Sequence, residues 1–159
     1  MPDITIVAVG KLKEAYWTAA VGEYQKRLGA YCNFQIIEIP EHRLPAAPSS
    51  AQIQQGLAAE GTRILAKIPP RAHVIALCIE GRAVSSEQLA QTLESALLNT
   101  SKIAFIIGSS YGIAENVKQT AHFRLSLSVM TLPHQLARVL LCEQLYRAMS
   151  ILNQGKYHK

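Results

Sequence analysis

Short β-rich runs alternate with segments of helical periodicity along the whole chain, and this alternation limits the fold more than any other feature. Ile4–Val9 reads as a strand ended by Gly10, and Phe34–Ile39 as a second strand stopped by Pro40. His73–Ile79, Ile103–Ile107 (bounded by Gly108) and Arg124–Val129 complete the set. Between the first two, Trp17, Ala20, Val21, Tyr24 and Leu28 fall on one helical face, which Gly29 closes. A second helix is expected from about Ala51 to Lys67, and Ser85-x-x-Gln88 has the form of a capping box that opens a third. A short helix over Ala114–Ala121 precedes the last strand. Pro133 stands in the first turn of a final helix expected to reach about Leu152, where its missing N–H costs nothing. Strands that alternate with helices predict an α/β domain with a largely parallel sheet and helices on both faces.

Nothing divides the chain, so one domain over residues 1–159 is expected. The only Pro/Ser-rich stretch is Glu41–Ser50, which reads as an exposed loop. With 49% hydrophobic and 17% charged residues, the composition argues for a sizeable core and against disorder. No apolar run approaches the roughly 20 residues that span a bilayer. Met1-Pro-Asp-Ile-Thr-Ile-Val reads as a first strand and not a signal peptide. Cys32, Cys78 and Cys142 are widely spaced and form no metal or redox motif, as expected of reduced thiols in a cytoplasmic protein.

The formal charge of +5 is unevenly placed. Residues 1–112 carry 10 basic and 9 acidic side chains. Residues 113–159 carry Lys118, Arg124, Arg138, Arg147, Lys156 and Lys159 against only Glu115 and Glu143. A basic last third points to a polyanionic partner such as nucleic acid, against the plainer reading of a solvated surface.

Three segments are candidates for chemistry. Gly108-Ser-Ser-Tyr-Gly112 is a small-residue turn at the carboxyl end of a predicted buried strand, where open α/β sheets bind ligands. It lacks both the dinucleotide and the P-loop pattern. The run Leu125–His134 leaves a strand and leads directly into a helix N-terminus, whose free N–H groups and partial positive charge suit an anion. His134 is followed one turn later by Arg138. The terminus, Gly155-Lys-Tyr-His-Lys159, sets an aromatic ring among cations, a pattern that can stack on a base and hold phosphate, unless the tail is simply frayed. Glu143 lies among apolar residues and would need a partner, for which Arg147 at i+4 is the simplest.

The run LSLSVMTLPHQLARVLLCEQLYRAMSILNQGKYHK (125–159), with ITIVAVGKLKEAYW and EYQKRLGAY near the start, resembles the small methyltransferases of the SPOUT class. The similarity covers the chain at matching length, and its branch methylates N3 of a pseudouridine in large-subunit (23S) ribosomal RNA. The resemblance implies a C-terminal trefoil knot over about residues 73–159, an S-adenosyl-L-methionine pocket within it, and a homodimer acting on the ribosome. Carried over by position, the cofactor pocket uses Leu77, Gly108, Leu127, Ser128, Val129, Met130, Thr131 and Leu132. Family members usually have Gly-Gly after the fourth strand, whereas Ser109 occupies the second position here, and a positive φ would strain it.

For such a reaction the enzyme must align donor and acceptor, and the N3–H imide must lose its proton. His134, Arg138, Tyr157 and His158 are the expected catalytic residues. His158 or His134 would assist proton removal, Arg138 would stabilise the oxyanion and Tyr157 would position the base. The tail, far in sequence from the cofactor loop, is expected to complete the partner subunit's site. No metal is expected. The rival readings are a non-catalytic RNA-binding module and a small-molecule enzyme with a nucleotide-like cofactor.

Overall fold

The computed structural model describes residues 1–158 and contains five strands and five helices in strict alternation. They are β1 (Asp3–Val9), α1 (Ala15–Leu28), β2 (Asn33–Ile39), α2 (Ser50–Lys67), β3 (His73–Ala83), α3 (Ser86–Leu97), β4 (Lys102–Ile107), α4 (Glu115–Thr120), β5 (Phe123–Ser126) and α5 (His134–Leu152). All strand pairs are parallel, in the order β2-β1-β4-β3-β5.

The alternation of side chains along the strands creates two cores. Ile4, Ile6, Ile75, Ile103 and Phe105 point to one face, covered by α1, α3 and α5 through Val21, Leu28, Leu93, Leu141 and Leu145. Val7, Val9, Val74 and Ile106 point to the other, where Ile64 of α2 and Val117 of α4 cover them. Strands buried on both faces read as continuous apolar runs, which is why β1 and β4 show no polar alternation. Both α2 and α3 begin with complete capping boxes, Ser49/Gln52 and Ser85/Gln88.

Two boundaries differ from expectation, and one cause explains both. β3 runs past Ile79 to Ala83, while β5 ends at Ser126 and not Val129. Leu125 of β5 is paired first with Leu77 and again with Arg82, so Cys78–Gly81 forms a bulge on β3. β5 consumes its partner's length at one residue, and Leu127–Val129 leaves the sheet. Gly81 permits the detour: a Cβ there would lie 2.6 Å from the Leu125 carbonyl carbon and 2.8 Å from the Ser126 nitrogen.

Candidate active site

The bulge and the early end of β5 open a crevice of about 680 Å³ at the carboxyl edge of the sheet, a size typical of small-molecule sites. Three segments wall it: Leu77–Glu80 from β3, Ile107–Ile113 after β4, and Leu125–Pro133 with His134 and Ala137 from the start of α5. Leu77, Gly108 and Leu127–Leu132, expected to bind cofactor, all line it.

The Leu127–Leu132 loop is braced from within. The Ser126 hydroxyl donates to the Ser128 carbonyl (3.0 Å), and the Met130 N–H donates to Ser128 Oγ (2.9 Å). Across the crevice, Gly112 N–H donates to the Ser109 carbonyl at 2.9 Å and takes the turn's positive φ of 95°. Ser109 is not in the positive-φ region, so the strain that a side chain would meet there does not arise. Gly108 is needed for a different reason, since a Cβ would run into the Gly112 carbonyl and Ile113.

Val129 (92%), Ile79 (83%) and Met130 (73%) are large apolar side chains left exposed at the rim. Glu80 and Lys118 form an ion pair on the crevice wall, and the ammonium hydrogen bond lowers the Glu80 carboxyl below its ordinary value. Cys78 lines the same wall, its thiol pushed up by burial and so held protonated. The expected S-adenosyl-L-methionine fits this donor set. Apolar walls suit its base, while the backbone groups of two strand-end loops and a carboxylate suit its polar and cationic parts.

The expected catalytic residues divide among three places. His134 lines the crevice with Ala137. Arg138 turns inward and is only 2% exposed, with Nη1 2.5 Å from Glu38 Oε2 and Nη2 donating to the Gly10 carbonyl at 3.1 Å. It does not line the crevice, unlike His134 one turn before it. Tyr157 and His158 lie elsewhere again, folded back on α5 and α3. The Tyr157 hydroxyl donates to Glu143 Oε2 (2.8 Å), and His158 Nε2 lies 2.6 Å from Glu87 Oε1. Arg147 joins this second cluster, bonding Glu143 Oε1 through Nε (2.9 Å) and Nη2 (2.6 Å), with its guanidinium 4.6 Å from the Tyr157 ring centroid. Burial and the Glu143 carboxylate hold the Tyr157 phenol above its ordinary value, and the same causes raise Tyr24 of α1. Lys159 lies outside the described residues.

The Glu143–Arg147 pair is thus as its spacing predicted, and it also carries the tail. Glu87 and Tyr24 had no sequence signal, because only the folded packing of α1, α3 and α5 brings them to Tyr157 and His158. The basic last third also reads differently once folded. Lys118, Arg124, Arg138 and Arg147 each face a carboxylate: Glu80, Glu115, Glu38 and Glu143. A second crevice, of about 540 Å³, lies at the opposite sheet edge. Its polar groups satisfy one another there, Asn33 to Asp3 and Gln35 to Thr5.

A parallel α/β sheet with a strand-end crevice, flanked by a braced loop that enters a helix, is the arrangement in which open α/β proteins bind their ligands. Residues 2–158 match the family model described as "Predicted SPOUT methyltransferase", and the chain belongs to that family. It is 52% identical over 158 residues to a protein of Exiguobacterium sibiricum named "Ribosomal RNA large subunit methyltransferase H", covering 99% of both chains. Two solved structures share the fold at low identity. A probable methylase family protein from Haemophilus influenzae Rd KW20 has TM-score 0.51 and 15% identity, over 97% of this chain and 67% of that one. TrmJ from Z. mobilis ZM4 has TM-score 0.50 and 16% identity, over 93% and 70%. Among the described residues, no helix is long and apolar enough to cross a membrane.

Proposed function

We propose that this methyltransferase uses S-adenosyl-L-methionine to methylate N3 of a pseudouridine in large-subunit ribosomal RNA, in the cytoplasm, as a homodimer. The name of the Exiguobacterium relative and the identity over the full chain support the RNA substrate. The whole chain acts as one domain, knotted in its C-terminal part from about residue 73. The tight passage of β3 against β5 at Gly81, and the return of α5 beneath α1 and α3, support that path.

Leu77, Gly108 and Leu127–Leu132 hold the cofactor, with His134 at the edge of its crevice. When bound, the cofactor supplies an electrophilic methyl group on a sulfonium. The protein's part is to orient the uracil-type ring, exclude water and accept the N3 proton. The Tyr157 ring, backed by Tyr146 at 4.7 Å and by Arg147, presents a surface on which a base can stack. His158 is the group of this cluster suited to take up a proton, while Arg147 lies closest to balance a developing anion.

One observation carries the composite arrangement: none of Glu87, Glu143, Arg147, Tyr157 or His158 lines the crevice of its own chain. We therefore place the tail of one subunit at the partner's cofactor crevice, whose exposed Val129 and Met130 the partner would cover. The test mixes two inactive variants, His158→Ala and Gly108→Val, under conditions that exchange subunits. With labelled S-adenosylmethionine and ribosomes, each alone should be inactive and the mixture should recover label in the RNA. No recovery, with mixed dimers demonstrated, excludes the composite site. RNA binding without label, in the parent protein, would instead support a non-catalytic RNA-binding module.

A further inference from the structure

We propose that Arg138 and Glu38 form a positioning latch, which fixes the first turn of α5 against the ends of β1 and β2 and so sets the shape of the cofactor crevice. This rests on the reading of that crevice as the cofactor site. Arg138 is the largest fully buried side chain of the protein. It spans three elements, from α5 to the Glu38 carboxylate on β2 and the Gly10 carbonyl that follows β1. A second tie runs parallel to it: the Lys13 N–H donates to Gln135 Oε1 at 2.9 Å. Both ties leave the same turn of α5, whose other face presents His134 and Ala137 to the crevice.

Stability is a weak reason to bury this guanidinium. Desolvating an arginine offsets most of what one ion pair contributes, and Nε of Arg138 has no hydrogen-bond partner among the described residues. The geometry gives a better one. The helix begins at His134, and Pro133 at the capping position before it offers no side-chain cap, so its N-terminal turn is held from the side and not by its own sequence. The loop before it, Val129–Thr131, is exposed, and only the Ser126 and Ser128 hydroxyl bonds order it locally. Without the latch, the first turn of α5 would keep only the Lys13–Gln135 tie, and loop and His134 would move together. Arg138 is therefore a positioning residue, and it needs no contact with substrate.

The test uses Arg138→Met, which fills the same volume without charge, and Glu38→Gln, which keeps the hydrogen bond but not the ion pair. Glu38 is 38% exposed, so water can solvate it when its partner is removed. Hydrogen exchange on the protein without cofactor should show amides 127–137 exchanging about tenfold faster in Arg138→Met, with β1 and β4 unchanged. Glu38→Gln should shift the same amides in the same direction by a smaller factor. Cofactor dissociation constants by calorimetry should weaken in the same order, about tenfold for Arg138→Met. Unchanged exchange at 127–137 in both variants would overturn the latch. So would a loss of turnover with parental exchange and cofactor affinity, which would return Arg138 to a direct chemical role. If Arg138→Met does not fold, Glu38→Gln decides alone by the same exchange readout. If the parent binds no cofactor, the function proposed above falls, and the exchange experiment still tests the latch.

Discussion

Gly81 and His73 show how single residues on β3 control what lies around them. Gly81 lets β3 pass β5 closely enough to form the Cys78–Gly81 bulge. Gly81→Ala forces a methyl group into the β5 backbone, and overpacking of this kind costs about 1–3 kcal/mol. Urea unfolding should show that loss, and cofactor affinity should fall with it because the bulge forms one crevice wall. An unchanged midpoint would mean that the bulge relaxes freely. His73 stacks on His122 with ring centroids 4.6 Å apart, and the Val74 N–H donates to His122 Nδ1 at 2.9 Å. Burial, with a smaller contribution from His122, lowers the His73 pKa below 6.5. The unfolded chain then binds a proton that the folded chain refuses, so stability is lost as pH falls through 6.5 towards the lower folded value. His73→Gln should flatten that part of the pH–stability curve, measured by unfolding midpoints between neutral and mildly acidic pH.

At the scale of elements, periodicity and caps were legible and the interactions between elements were not. The parallel α/β layering, the Ser85/Gln88 capping box and the Glu143–Arg147 spacing follow from local pattern, because each depends on residues within a few positions of one another, whereas the Ser49/Gln52 box emerged only with the structure. That Leu77, Gly108 and Leu127–Leu132 share one strand-end crevice was legible through family resemblance and through the rule that ligands bind beyond strand ends. The end of β5 was not, since the apolar alternation continues to Val129 while the register set by β3 stops it at Ser126. Nor was the inward turn of Arg138. One helical turn separates it from His134, but the acceptors that hold it lie 100 and 128 positions away. Local pattern carries no information about such partners. The caps permit a control experiment. Ser49→Ala removes half of the α2 capping box, on the opposite face from α5, and should lower stability by about 1 kcal/mol. Calorimetric cofactor affinity should stay at the parental value; a parallel loss would show that the crevice follows global stability and not local wall geometry.

Across the whole molecule, the surplus of positive charge is less available to a polyanion than its position in the chain implies. Four of the six cations in residues 113–159 already face carboxylates, three of them from the first 112 residues or from α4. The near-neutral first part thus supplies the partners of two of them, Glu80 and Glu38, and the last part pairs the other two itself. Exposed Lys11 and Lys13, just after β1 and on the same sheet edge as the crevice, are not ion-paired among the described residues. Lys13 is also tied by its backbone to Gln135, beside His134. These two lysines are accordingly better placed to meet RNA phosphates than the four downstream cations that already face carboxylates. Each phosphate contact by a cation steepens the salt dependence of binding, by about 0.7 to 0.9 in the slope of log Kobs against log salt. Affinity for ribosomal RNA measured over a salt series should therefore lose about that much slope in Lys13→Gln. Arg124→Gln, which removes a guanidinium already 3.5 Å from Glu115, should leave the slope nearly unchanged. The opposite ranking would restore the basic C-terminal third as the RNA-facing surface and make its ion pairs ones that open when RNA binds.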